Sequence, residues 1–193
     1  MRHILIAILL SAITNALPAS AQDGPKGATL LIIRHAEKPL IDRGLSSSGN
    51  ERAKAYERYF RTFSVNSKPL HIDKIFAAAD SSESQRPRLT VAPLAKAMSL
   101  QTDTSFGNNQ IPQFAEEIRS RQKNKTVLIC WRHHELPGLI RALGANPESL
   151  LPGGKWPDDT FDWVIQLTYD KDGRLIPSGT KRISEHLLRS DSK

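Results

Sequence analysis

Apolar positions along this chain follow two different periods. Four stretches are continuous or nearly so: Ala28 to Ile33, Ile72 to Ala78, Thr126 to Trp131 and Asp162 to Tyr169. Runs of this length read as strands, and the unbroken Leu30-Leu31-Ile32-Ile33 reads as one buried on both faces, as in the middle of a parallel sheet. Elsewhere apolar residues recur at helical spacing, in Ala53, Tyr56, Tyr59, Phe60 and Phe63, in Ile111, Phe114, Ala115 and Ile118, and in Leu136, Leu139, Ile140 and Leu143. Each set predicts a helix laying one face on the sheet. Ser48 and Glu51, spaced as a capping box, open the first helix. Pro87 puts Arg86 at the entrance of another, which Pro93 should kink or restart before Leu94 and Ala97. Gly144 is a fitting stop for the last. Leu100 to Asp103 reads as a sheet edge and Asp172-Gly173 as a hairpin turn into Leu175-Ile176, while the tail from Thr180 reads as polar with a loose end. Strands alternating with helices predict an α/β protein, three layers deep (α/β/α), with a mainly parallel central sheet.

The amino terminus has a pattern of its own. Met1-Arg2-His3 is followed by the short apolar run Ile4 to Leu10, and Ala19-Ser20-Ala21 supplies small residues where a signal peptidase reads. Thr14, Asn15 and Pro18 interrupt the apolar run, which argues against a membrane anchor. Cleavage is expected after Ala21. It leaves one domain from Gln22 to Lys193, soluble and exported to the periplasm or outside the cell, with no membrane association once the signal is gone.

Composition narrows the partners. The net charge of +7 falls only to +6 when Arg2 leaves with the signal, so anionic partners are favoured. The basic residues are scattered and aromatics make up only 6%, which is not the composition of a nucleic-acid groove. Nucleic acid is therefore not expected. Cys130, the only cysteine, lies inside an apolar strand and reads as a buried, inert thiol.

The charged residues that matter stand where strands end. The first strand runs into Arg34-His35-Ala36-Glu37-Lys38, the third into Arg132-His133-His134-Glu135, and the second leads to Arg86 at a helix entrance. Ligands of open α/β sheets bind just beyond the carboxyl ends of the strands. If these strands are neighbours, Arg34, His35, Arg86 and His133 or His134 converge. Guanidinium groups bind tetrahedral anions through paired, charge-assisted hydrogen bonds, and a neutral imidazole beside them can attack phosphorus in line. Such a pocket suits a phosphoryl group and needs no metal.

Arg34-His35-Ala36-Glu37 resembles the RHG-type signature of the histidine phosphatase superfamily, also called phosphoglycerate mutase-like. Leu45-Ser46-x-x-Gly49-x-x-Arg52-Ala53, Arg86-x-x-x-Thr90 and the strand Val127 to Trp131 followed by His133 are similar to later motifs of the same superfamily, in the same order. The resemblance implies a phosphoglycerate mutase-like fold and a phosphatase with no cofactor, acting on a small phosphorylated substrate. It implies His35 as the phosphorylated nucleophile, with Arg34, Arg86 and His133 gripping the phosphate. His134 is the rival to His133, one residue away, and a further candidate for substrate binding. Glu135 is the first choice for the leaving-group acid, with Glu37 and Asp103 as rivals. Ala36 departs from the usual glycine and narrows the space beside the nucleophile. Residues 38–44 and 100–112 are expected at the pocket rim.

Other chemistries take second place. A metal site from His35, His133, His134 and Glu135 is disfavoured because adjacent histidines diverge on a strand or helix. Ser81, Ser82 and Ser84 lack the Gly-x-Ser-x-Gly elbow of a serine hydrolase. A silent phosphate-binding protein or a phosphoprotein phosphatase on the same fold stays open, and the sequence gives no oligomeric state.

Overall fold

The computed structural model describes residues 23–65 and 67–191. The expected signal sequence and its cleavage point lie outside them. The elements in chain order are β1 (Thr29–Arg34), α1 (Ser47–Arg61), β2 (Ser64–Val65), β3 (Lys68–Pro69), β4 (Lys74–Ala77), α2 (Arg86–Ala97), β5 (Thr102–Asp103), α3 (Ile111–Arg121), β6 (Thr126–Trp131), α4 (Leu136–Ala142), β7 (Trp163–Thr168) and β8 (Lys181–Ser184). Six of the strands form one sheet in the order β5-β4-β6-β1-β7-β8, and β2 and β3 form a separate two-stranded hairpin. The β5, β4, β6 and β1 strands are parallel, whereas β7 runs antiparallel to β1 and β8 antiparallel to β7.

The central strands explain the three layers. Every residue of β6, and all but the first of β1, is buried, so both faces of the sheet must be covered. On one face Leu30 and Ile32 pack with Phe114 and Ile118 of α3 and with Leu136, Leu139 and Ile140 of α4. On the other, Leu31 and Ile33 pack with Tyr56 and Phe60 of α1 and with Val91 and Leu94 of α2. Successive β1 side chains point to opposite faces, so one strand feeds both cores. Cys130 is buried in the second of these, as expected. No helix among the described residues is long and apolar enough to cross a membrane.

Local details correct several expectations. The helix α1 starts two residues earlier than the Ser48–Glu51 box implied: Ser46 is extended (ψ 176°) and its hydroxyl accepts from Gly49 N at 3.0 Å. Ser48 therefore lies inside the first turn, and its spacing to Glu51 is incidental. Pro93 does not break α2, which runs through it. Val91 and Leu94, which flank it in sequence, are both buried in the same core. The tail also carries an element that was not expected, β8, which forms a charged sheet edge against β7. Gly144 does follow α4 with φ 87° and sits just past the cap Leu143.

Candidate active site

The sheet order makes β4, β6 and β1 neighbours, and this brings the charged loops together. Arg34 pairs in register with Trp131, and His35 N continues the ladder by donating to Trp131 O at 3.0 Å. His133, two residues beyond β6, thus comes to the side of His35. Their rings lie edge to face, 5.9 Å between centroids. Arg86 opens α2 and is tied to the same loop through Thr90, whose hydroxyl donates to Arg86 O at 2.8 Å and accepts from Ala36 N at 2.9 Å.

The hydrogen bonds fix the histidine tautomers. His35 Nδ1 lies 2.8 Å from Ala36 O, and a carbonyl only accepts, so Nδ1 carries the proton and Nε2 keeps its lone pair. His35 is 2% exposed. Burial pushes its pKa down to about 3, the nearby Arg34, Arg86 and His133 adding to the effect against the opposing bond to Ala36. The imidazole is therefore neutral across the physiological range. His133 Nε2 donates to the Asp158 carboxylate at 2.9 Å, which leaves Nδ1 without a partner. Burial, Arg34 and His134 lower His133 to about 4, against the opposing pull of Asp158.

The arginines hold fixed positions. Arg34 Nη1 donates to the carbonyls of Pro157, Asp158 and Thr160 at 2.8, 3.0 and 2.8 Å, and its guanidinium stacks 3.9 Å from the Phe161 ring centroid. Burial lowers it to about 10, so it stays cationic at neutral pH. Arg86 Nη1 donates to Asp42 O at 3.4 Å, which anchors the loop after His35. The Nε groups of Arg34 and Arg86 are buried without hydrogen-bond partners among the described residues. Buried donors are seldom left so, and here two belong to cations whose charges both act on His35.

Three solved structures share this architecture. The protein histidine phosphatase SixA, complexed with tungstate, superposes with a TM-score of 0.55 at 14% identity, over 81% of this chain and 97% of that one. SixA from Agrobacterium tumefaciens gives 0.52 at 17% identity, over 82% and 99%. Phosphoglycerate mutase from Bacillus anthracis str. Sterne gives 0.51 at 13% identity, over 80% and 92%. The chain has the histidine phosphatase fold. At these identities the likeness concerns the fold alone. No protein-family model matches the sequence, and no curated protein matches it.

Within the histidine phosphatase fold the candidate acids separate. Glu37 is bound by Arg52, with Nη2 at 2.7 Å and Nε at 3.1 Å from both carboxylate oxygens. Asp103 accepts from Ser105 Oγ at 2.7 Å and pairs with Lys74 at 2.9 Å. Glu135 is half-buried at the N-cap of α4, next to the second histidine loop, and its side chain makes no hydrogen bond or ion pair among the described residues. His134 is exposed, its ring tilted against His133 at 3.8 Å between centroids. The two adjacent rings thus converge, contrary to the expected divergence, because they lie in a turn and not on a strand or helix. Of the expected rim, residues 38–44 carry the exposed Leu40 and Ile41, whereas Phe106 of the 100–112 segment packs on Phe114 and the core.

Sequence reasoning missed two members of the cluster. Asp158 and Phe161 belong to a loop rich in Pro, Gly and Asp, where no periodicity marks any residue. It also missed the support beneath. Arg52, 1% exposed at its side chain, binds Glu37 and reaches Asp191 at 2.6 Å and Glu185 at 3.9 Å. Burial alone would lower the Arg52 pKa, but the bonds to Asp191 and Glu37 outweigh it and raise the value.

Proposed function

We propose that this chain is an exported phosphatase that hydrolyses phosphomonoesters through a phosphohistidine on His35. The observation carrying this reading is the freed lone pair of His35 Nε2 beside two buried guanidinium groups with unpartnered Nε donors. The phosphate sits between Arg34, Arg86 and His133. Nε2 attacks phosphorus in line as the ester P–O bond breaks, and the arginines offset the charge on the equatorial oxygens. The departing oxygen takes a proton from Glu135, the acid left free when Glu37 and Asp103 are engaged elsewhere. Water then attacks phosphorus and gives a proton to the Glu135 carboxylate as the P–Nε2 bond breaks, which releases phosphate and restores both Nε2 and the acid. His133, held by Asp158, gains basicity once a dianion lies beside it and donates from Nδ1 to a phosphate oxygen. No step calls for a metal. Export rests on the N-terminal sequence.

His35→Ala is expected to abolish turnover of an aryl phosphate measured with chelator present, and wild type quenched in base during turnover should carry acid-labile phosphate on His35. Full activity in the variant would overturn the assignment. A wild type that is stabilised by phosphate yet turns over no ester would mark a binding protein.

A further inference from the structure

His133, His134 and Asp158 form a second constellation beside His35. One ligand atom from each lies within 4.8 Å of the others, and His133 Nε2 already stands 2.9 Å from Asp158 Oδ1. A tetrahedral zinc with bonds of about 2.0–2.1 Å holds its donors roughly 3.4 Å apart, so only small side-chain shifts are needed. We propose that these three residues form a binding site for a transition-metal cation such as Zn²⁺, and that filling it switches the phosphatase off.

The donor set points to the kind of ion. Two imidazoles and one carboxylate suit Zn²⁺, Cu²⁺ or Ni²⁺, whereas Mg²⁺ and Ca²⁺ prefer all-oxygen shells. Three protein donors with an open fourth position leave room for solvent. The ion takes the place of the proton that His133 now shares with Asp158. The positive charge of Arg34, whose Nη1 lies 3.0 Å from Asp158 O, opposes the ion and keeps binding weaker than in a closed structural zinc centre. His134 and Asp158 are both exposed, so ions reach the site from solvent without rearrangement of the fold.

The inhibitory part rests on the phosphatase reading. His133 holds the ion through Nε2 while its ring stands beside His35, and the open fourth position draws a phosphate oxygen to the ion, so a loaded site keeps the ester out of line with His35 Nε2. The ion here is an inhibitor and takes no part in the reaction.

The test separates binding from turnover. Zinc is titrated into metal-stripped protein in competition with a chromogenic chelator. His134→Ala and Asp158→Ala are each expected to weaken binding at least about tenfold, since even outer partners of metal ligands contribute about 10–100-fold. Unchanged zinc affinity in both variants would overturn the site, whether or not the protein hydrolyses any ester. With an aryl phosphate, each protein's rate in zinc is taken relative to its own zinc-free rate. The inhibition curve of His134→Ala should move to higher zinc by the same factor as its affinity; inhibition at wild-type zinc concentrations would overturn the coupling. Millimolar Mg²⁺ should leave zinc affinity unchanged, and displacement of zinc by it would overturn the ligand assignment.

Discussion

The burial of His35 has a consequence for stability that can be measured without any substrate. In the unfolded chain His35 takes up a proton near its ordinary pKa of 6.5, whereas in the folded protein it does so only near about 3. Between these values the unfolded state binds the extra proton. Stability therefore rises with pH across this window and is lost as acid is added. The full gap corresponds to about 5 kcal/mol, and by pH 5 about 2 kcal/mol of it is already lost. The conversion needs little discount for solvent screening, because the ring is 2% exposed. Urea unfolding of wild type and His35→Gln, followed at a series of pH values from about neutral to 5, isolates the effect, because the remaining groups titrate in both proteins. The wild type should lose about 2 kcal/mol more than the variant over that range. A difference that stays flat with pH, or a wild type that gains on the variant in acid, would refute the assigned environment of His35. The same depression keeps the proposed nucleophile unprotonated in the free protein, so the acid limb of kcat/KM should not report His35 above about pH 4.

Three substitutions, with Arg88→Leu as a surface control, probe the support of the site. Arg52→Leu leaves the half-buried carboxylates of Glu37 and Asp191 and the buried one of Glu185 without their cation and should cost about 3–5 kcal/mol in urea unfolding, whereas Arg88→Leu, breaking the exposed pair with Asp80, should cost no more than about 1 kcal/mol. Thr90→Val keeps the shape but strips Ala36 N of its acceptor, with an expected loss of about 1–3 kcal/mol and a fall in kcat, since Ala36 follows the nucleophile. In Gly49→Ala the new Cβ would meet Glu37 O in a clash, so the Glu37 backbone must move; a cost of about 1–3 kcal/mol and reduced turnover are expected, and an unaltered protein would show that this helix–loop contact is loose.

The residues of the candidate cluster were legible where physical chemistry is local. A run of apolar residues ending in Arg-His is visible in sequence because a buried strand and a charged loop impose opposite compositions on adjoining positions. Arg34, His35, Arg86 and His133 could be picked out on that ground, and Pro87 located the helix that carries Arg86. The capping of α1 was read two residues late because Ser46, Ser47 and Ser48 are chemically equivalent and only backbone geometry chooses Ser46. The acids were not separable, since Glu37, Asp103 and Glu135 differ in sequence only by position. Their partners Arg52, Lys74 and Ser105 sort them, and Arg52 is 15 residues from Glu37 while Asp191 is 139 from Arg52.

Sequence by itself determined the main strands and helices, though not β2, β3 or β8, together with the two-faced burial of the central strands and the residue types at their ends, because these follow from short-range periodicity and from the cost of burying charge. Tertiary structure decided the rest. The strand order places Arg34 beside Trp131, and so His35 beside His133, through a pairing of segments nearly a hundred residues apart. It brought Asp158 to His133 and the carbonyls of residues 157–160 to Arg34, contacts made by a loop without a periodic signal. The neutral state of His35 is likewise a property of the assembled core, since it arises from exclusion of water and from cations that arrive on other elements.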